Sequence, residues 1–425
     1  MVYLERRSAY EKSKSGNKRI AMKERVILHC DCNSFFASVE SALNPEFKNV
    51  PMAVCGNVEN RHGIILAKNE LAKKYGIKTA ETVFSAKRKC PNLVLAEPHY
   101  DEYVKYSQKA NAVYARYTDM IESFGIDESW LDVTASGIFG SGEEIAEKIR
   151  NDIKNELGIT VSIGVSFNKV FAKLGSDYKK PDAVTVISRE NYKNIVYPLP
   201  VSDLLFVGRK TDEQLRRLGI KTIGDLSLAS KDILIAKLGK AGEMLSKYAR
   251  GEDDSPVSPY DINDSKSIGN GFTFKHDLVG RNECRTGINY LAEEIGTKLR
   301  LRGLKCATVQ ISIKDEYLRT IQRNAPQNPP TDISSEIADT AFAMLCREWP
   351  AEKPIRMITV TATNLVRSDM LAEQINFFDE GKTARRKRNE KKEVAVDEIR
   401  KKFGTDSILK ASVIDADLGI YKPKK

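Results

Sequence analysis

Val26-Ile27-Leu28-His29-Cys30-Asp31-Cys32-Asn33-Ser34-Phe35-Phe36-Ala37-Ser38-Val39-Glu40 is the stretch on which the fold turns. Its first half, residues 26–31, is a short and mostly apolar run of the length and composition of a buried strand. Its second half, from Ser34, reads as the start of a helix. The two together predict a strand-to-helix turn, and that turn carries an acid, Asp31.

A partner for that acid comes about a hundred residues later. Ser123-Phe124-Gly125-Ile126-Asp127-Glu128-Ser129-Trp130-Leu131-Asp132-Val133 has apolar and aromatic flanks around a polar turn, which predicts a β-hairpin with two adjacent acids in it. Beyond it Ile145, Ile149, Ile153 and Leu157 recur every four residues on one helical face, and Ile159, Val161, Ile163 and Val165 alternate as a strand. This block predicts a sheet covered by helices.

Three carboxylates that a sheet could gather suit phosphoryl transfer. Divalent ions about 3.5–4 Å apart offset charge that develops on attacking and leaving oxygens, and such a pair needs several acids. On a regular strand Asp127 and Glu128 point to opposite faces, so they converge only where the turn bends the backbone. The residues alone leave a second reading open, in which Asp31 caps the helix and Asp127-Glu128 is a solvated turn.

The rest of the chain sets the bounds. Its 425 residues and 47.6 kDa exceed one ordinary core, so several domains are expected. No run approaches the roughly 18 apolar residues of a membrane helix, and residues 1–21 lack the apolar stretch of a secretory signal, which predicts an intracellular protein with no membrane partner. Seven scattered cysteines without C-x-x-C spacing argue against zinc and against disulfides. A formal charge of +10 favours a polyanion, nucleic acid first. Residues 60–90 read as short helical pieces of a basic subdomain, and 198–255 as short helices with glycine-centred turns that suit phosphate contacts. Residues 253–259 are rich in breakers and read as a linker. A second folded unit spans 266–366, with strands at 308–313 and 358–363. The charged segment from Arg367 on reads as partly disordered or as folding only against a partner.

Residues 31–40, 126–132 and 162–181 resemble, in order and spacing, the three catalytic-core motifs of Y-family DNA polymerases, closest to the bacterial polymerase IV and polymerase V catalytic-subunit branches. The resemblance covers about residues 23–366. It implies an α+β, multidomain right hand: palm (22–42 and 99–187), fingers (43–98), helical thumb (188–253), linker (254–265) and little finger (266–366), with an N-terminal extension (1–21) and a tail (367–425). It implies low-fidelity, template-directed DNA synthesis that tolerates damage, from dNTP onto primer-template DNA, in a bacterial cytoplasm close to the nucleoid. By position, Asp31, Asp127 and Glu128 match the metal ligands, with the Cys32 backbone carbonyl completing a shell for two Mg²⁺, for which Mn²⁺ is a possible substitute. Phe36 matches the aromatic steric gate beneath the incoming sugar, and Phe35 beside it is counted with the nucleotide-binding residues. Lys169 matches a phosphate contact. In the fingers, Glu70 and Lys73 depart from the Tyr and Arg of the polymerase IV pattern toward the polymerase V side, and Lys73 keeps a point charge for triphosphate.

In the tail, Gln374-Ile375-Asn376-Phe377-Phe378 resembles the short peptide by which bacterial polymerases attach to the sliding clamp. Gln374, Ile375, Phe377 and Phe378 are its contacts on that reading, and the protein is expected to be a monomer otherwise. Two rivals remain at this stage. A palm-type nucleotidyl cyclase needs neither Phe36 nor residues 198–366, and a non-catalytic DNA-binding scaffold has no use for three acids.

Overall fold

The computed structural model describes residues 24–56, 63–259, 265–370, 380–414 and 416–420, so the expected N-terminal extension 1–21 and clamp peptide 374–378 lie outside the described residues. The chain divides into two compact units, Met1–Asn49 with His99–Tyr260 and Val50–Pro98 with Asp261–Lys425. In chain order the elements begin with β1 (Ile27–Cys32) and α1 (Phe35–Leu43) of the first unit. Then come β2 (Met52–Cys55), β3 (Ile65–Lys68), α2 (Glu70–Lys73), α3 (Val83–Lys89) and β4 (Val94–Ala96) of the second. The first unit resumes with α4 (Tyr100–Tyr114), β5 (Ile121–Ser123), β6 (Glu128–Asp132), α5 (Gly142–Leu157), β7 (Val161–Ser166), α6 (Lys169–Tyr178) and β8 (Val184–Ile187).

These strands form one sheet in the order β5-β6-β1-β7-β8. Strand β1 is central, antiparallel to both β6 and β7, and buried along its length. Alternation sorts its side chains. Leu28, Cys30 and Cys32 enter a core with Tyr103 and Val113 of α4 and Ile145, Ile149 and Ile153 of α5, the isoleucines that the four-residue spacing selected. Each fully buried isoleucine contributes roughly 1.5–3 kcal/mol. Helix α5 starts in a Ser141–Glu144 capping box and stops at Gly158, whose φ of 66° suits glycine. On the other face lie His29 and Asp31, and α6 crosses it so closely that a Cβ at Gly164 would stand 1.9 Å from the Ala172 carbonyl oxygen.

A helical segment completes this unit: α7 (Tyr192–Val196), α8 (Arg209–Arg217), α9 (Ile223–Leu228), α10 (Lys231–Leu238) and α11 (Lys240–Ala249) around Leu215, Ile223, Leu226, Leu234 and Leu245. The expected linker departs from its reading at its first half. Residues 251–258 are strapped onto the sheet: Asn168 Nδ2 donates to the Gly251 carbonyl at 2.8 Å, Arg25 to that of Ser255 at 2.8 Å, and the Ser258 amide to Glu122 Oε2 at 2.9 Å. Val257 is buried among Ile27, Trp130 and Ala172. One apolar side chain and side-chain contacts to its backbone hold it, which breaker composition does not reveal.

In the second unit, residues 52–96 contain a three-stranded sheet, β3-β2-β4, that a reading of helical pieces missed. A larger sheet, β11-β10-β12-β9, is built from β9 (Ser267–Leu278), β10 (Leu304–Lys314), β11 (Thr320–Thr331) and β12 (Ile355–Arg367). Helices α12 (Arg281–Leu301) and α13 (Ser334–Glu348) cover the face that carries Val309, Ile311 and Ile313. The tail reads in sequence as partly disordered or as folding only against a partner; its described residues 380–414 and 416–420 fold within this unit. Helix α14 (Glu380–Phe403) is followed by α15 (Ala411–Ile414), and both belong to this unit. Asp397 meets Arg300 at 2.6 Å, Leu418 enters the core, and the Lys275 amide donates to the Leu418 carbonyl at 3.1 Å. Among the described residues, no helix is long and apolar enough to cross a membrane.

Candidate active site

Asp31 and Glu128 stand directly opposite each other across β1 and β6, and opposite residues of an antiparallel pair share a face. Asp127 precedes β6 in a turn where the amides of Phe124 and Gly125 both donate to the Glu128 carbonyl, at 2.9 and 3.2 Å, while the Cys32 amide donates to the Asp127 carbonyl at 3.0 Å. This is the bend that the two adjacent acids require. Asp127 feels the charges of Glu128, Lys180 and Lys173, so it belongs to the same electrostatic cluster.

Burial pushes the Asp31 carboxyl up to about 6, and Lys180, 2.6 Å from its Oδ2, offsets only part of that; Glu128 and Asp127 add repulsion. Burial, then the Glu128 charge, also raises Asp127. Burial opposes ionisation of Glu128 too, but contacts with His29 and Lys173 outweigh it and hold its pKa down at about 2. Burial drops His29 to about 4, so the ring is neutral. Its Nδ1 meets Ser176 Oγ at 2.8 Å, and that hydroxyl also reaches the Lys173 carbonyl at 2.8 Å. His29 Nε2 lies 3.2 Å from Glu128 Oε2 without a hydrogen bond.

Among the described residues, no three His, Cys, Asp or Glu side chains form a ready metal-ligand group, since Glu128 is drawn to Lys173 and Asp31 to Lys180. The donor set nevertheless fits hard divalent ions. Three carboxylates lie together, and Asp31 and Asp127 are raised by burial and by the charges of the neighbouring acids, which a bound cation would relieve. The Cys32 thiol is no ligand. Burial pushes it up to about 12, and its Sγ faces the Tyr114 hydroxyl at 3.8 Å.

Helix α1 begins after Ser34, whose φ of 49° turns the chain sharply out of β1. The two phenylalanines then part company. Phe35 is 3% exposed and sits in the core beneath the sheet, so its side chain is not placed to touch a nucleotide. Phe36 is half-buried, stacked on Tyr103 at 4.1 Å and 11° and edge-on to Tyr100. Buried Glu40 accepts from the Tyr103 hydroxyl and meets His99 Nδ1 at 3.0 Å, which ties α1 to α4 and fixes that stack.

Lys169 pairs with Glu122 rather than with Asp31, Asp127 or Glu128. Its Nζ is 2.6 Å from Glu122, 3.4 Å from the Pro256 carbonyl and over the Trp130 ring, a set of partners that anchors the 251–258 strap. Lys173 and Lys180, later in the same motif, are the cations that reach the acids. Both lie within residues 162–181, but nothing in the sequence marks either, because lysine is the commonest solvated residue. Lys73, on α2 of the second unit, pairs with Glu70 at 2.6 Å.

Residues 30–177 match the family model described as impB/mucB/samB family, residues 265–377 match that family's C-terminal domain, and residues 202–253 match the model described as DNA polymerase-iota, thumb domain. DNA polymerase IV of Acetivibrio thermocellus is 47% identical over 401 residues, 94% of this chain and 100% of that relative. DNA polymerase IV 1 of Bacillus subtilis is 34% identical over 92% of this chain and 94% of that relative. The solved structure of a Y-family DNA polymerase chimera of Dbh and Dpo4 superposes with a TM-score of 0.72 at 25% identity, covering 80% of this chain and 99% of that one.

Proposed function

Because the chain belongs to the impB/mucB/samB family of Y-family DNA polymerases, we propose that Asp31, Asp127 and Glu128 are the acids at which it extends a primer on a template. The observation that carries this is the register that sets Asp31 opposite Glu128, with Asp127 bonded through its carbonyl to Cys32. The activity is template-directed, low-fidelity DNA synthesis past damage, with primer-template DNA and dNTPs as substrates. The domain limits given by the motifs stand as our assignment of palm, fingers, thumb and little finger.

The three carboxylates and the Cys32 carbonyl would hold two divalent ions, assigned as Mg²⁺ with Mn²⁺ as a substitute. When bound, the ions neutralise charge on the α-phosphate and on the attacking and leaving oxygens. The protein's own part is positioning. Asp31 and Glu128 stay ionised at neutral pH, one beside Lys180 and the other beside Lys173. Lys180 Nζ is assigned to the triphosphate as a point charge next to the acids, and Lys73 from the fingers as another. Phe36, locked against Tyr103, is assigned as the platform beneath the sugar and the barrier to a 2′-hydroxyl. The peptide 374–378 is assigned to the sliding clamp, and the chain is otherwise assigned as a monomer.

The test is primer extension with dNTPs and Mg²⁺ at low salt, wild type against Asp127→Ala with Glu128→Ala. Loss of extension with primed-DNA binding retained supports the assignment. An equally active double mutant refutes the metal site, and a folded wild type that binds primed DNA without extending it favours the scaffold reading.

A further inference from the structure

Helix α14 sorts its charges into two sets. At about 100° per residue, Arg386, Glu390, Glu393, Asp397 and Arg400 fall within an arc of roughly 80°. All five are partly buried and paired, with Glu336, Lys305, Arg300 (which takes both Glu393 and Asp397) and Glu293 respectively, at 2.6–3.3 Å. Lys387, Arg388, Lys391, Lys392 and Lys402 occupy an arc of roughly 140° centred nearly opposite. All five are exposed, and among the described residues none has a hydrogen bond or ion pair. Glu398 is the exposed acid among the described side chains of the helix. Docking therefore consumes three of the four described acids of the helix, Glu390, Glu393 and Asp397, and the charge left facing solvent is mostly positive. A solvated helix ordinarily intersperses the signs and pairs them at i, i+4.

We propose that this basic face is a second DNA contact, which grips the phosphates of duplex without reading bases. The proposal rests on the polymerase reading. Charge complementarity selects the occupant. Lys387 to Lys392 place four cations along about 8 Å of helix axis, and duplex DNA presents one phosphate per roughly 1.7 Å, so four contacts fit side by side. Inward, α14 meets α12 and α13, the layer that covers the apolar face of the large sheet. Its basic arc thus looks away from the sheet, and the duplex it holds is a stretch separate from any lying on the polar face of Thr308, Gln310 and Ser312.

The experiment uses the full chain and a labelled primed duplex of about 60 base pairs, with affinity measured against salt. Lys387→Gln, Arg388→Gln, Lys391→Gln and Lys392→Gln combined should weaken binding at least roughly ten-fold at low salt. The slope of log affinity on log salt should fall by about 3–4, at 0.9 per lost phosphate contact. Single-nucleotide incorporation at saturating DNA should stay unchanged, and Glu398→Lys should tighten binding. Unaltered affinity and slope in a variant that melts like wild type would overturn the proposal. So would loss of binding to phosphatidylserine vesicles with DNA binding intact, which would mark a lipid surface instead. A wild type that neither binds nor extends primed DNA would remove the polymerase reading itself, and this proposal with it.

Discussion

Gly164→Ala tests whether the close crossing of α6 over the sheet positions the chemistry. A Cβ there would lie 1.9 Å from the Ala172 carbonyl oxygen, 2.5 Å from the Ser176 nitrogen and 2.8 Å from the Gly175 carbonyl carbon. The first contact is roughly 1.5 Å short of van der Waals distance. All three atoms are backbone, so no side chain can swing aside, and α6 must shift as a body. Overpacking usually costs about 1–3 kcal/mol, and the lack of any yielding atom puts this case at or above about 3. For a unit of this size that is a drop of roughly 6–12 °C in Tm. The helix carries Lys173 and Ser176, which partner Glu128 and His29, and a 1 Å displacement of supporting groups can cost about 10²-fold in rate. Calorimetry and single-turnover incorporation measure the two effects. Gly208→Ala is the control, because a Cβ there meets nothing within 4 Å. A Gly164→Ala protein that melts within about 2 °C of wild type and incorporates at its rate would refute this account of the crossing.

Phe36→Ala should admit ribonucleotides, read as a rise in rNTP over dNTP incorporation with little change in Tm; unchanged sugar selection would remove Phe36 from the gate role. Since the Asp31 carboxyl is raised to about 6, its proton competes with a divalent ion below that pH. Mn²⁺ affinity should therefore climb as pH rises toward about 6 and flatten beyond it. The same raised pKa means that ionising Asp31 costs the fold stability, so the metal-free protein loses stability between about pH 4 and 6 as this group ionises; calorimetry of wild type against Asp31→Asn isolates the effect, and a pH-independent Mn²⁺ affinity would count against both. Leu418→Ala should destabilise the second unit by about 2–4 kcal/mol, seen as an earlier melting transition, whereas an unchanged transition would mean the tail contributes nothing to that core. Gln374→Ala with Phe378→Ala should abolish clamp-stimulated synthesis and spare basal synthesis, and equal stimulation would clear the peptide of that role.

What was legible in the sequence was periodic. The spacing of Ile145, Ile149 and Ile153 and the apolar run before Asp31 gave the core sheet and its cover, and the polar turn at Asp127-Glu128 gave the hairpin. The missed features are held by contacts that leave no period. The strap at 251–258 rests on Val257 and backbone bonds, and α14 docks through ion pairs rather than an apolar stripe. Lys169 could not be told from Lys180, because the distinction lies in Glu122, 47 residues upstream of Lys169 and brought to it only by the hairpin.

The seating of the tail also has a bearing on how the chain is made. Lys275 and Asp417, 142 residues apart, are ion-paired beside Leu418. At roughly 5–20 residues per second on the ribosome, β9 waits about 7–28 s for the segment that completes its core. The first unit's second segment has been synthesised by residue 260. Vectorial synthesis therefore gives the first unit a head start, and the apolar face of the second is the surface for a chaperone to shield during that interval.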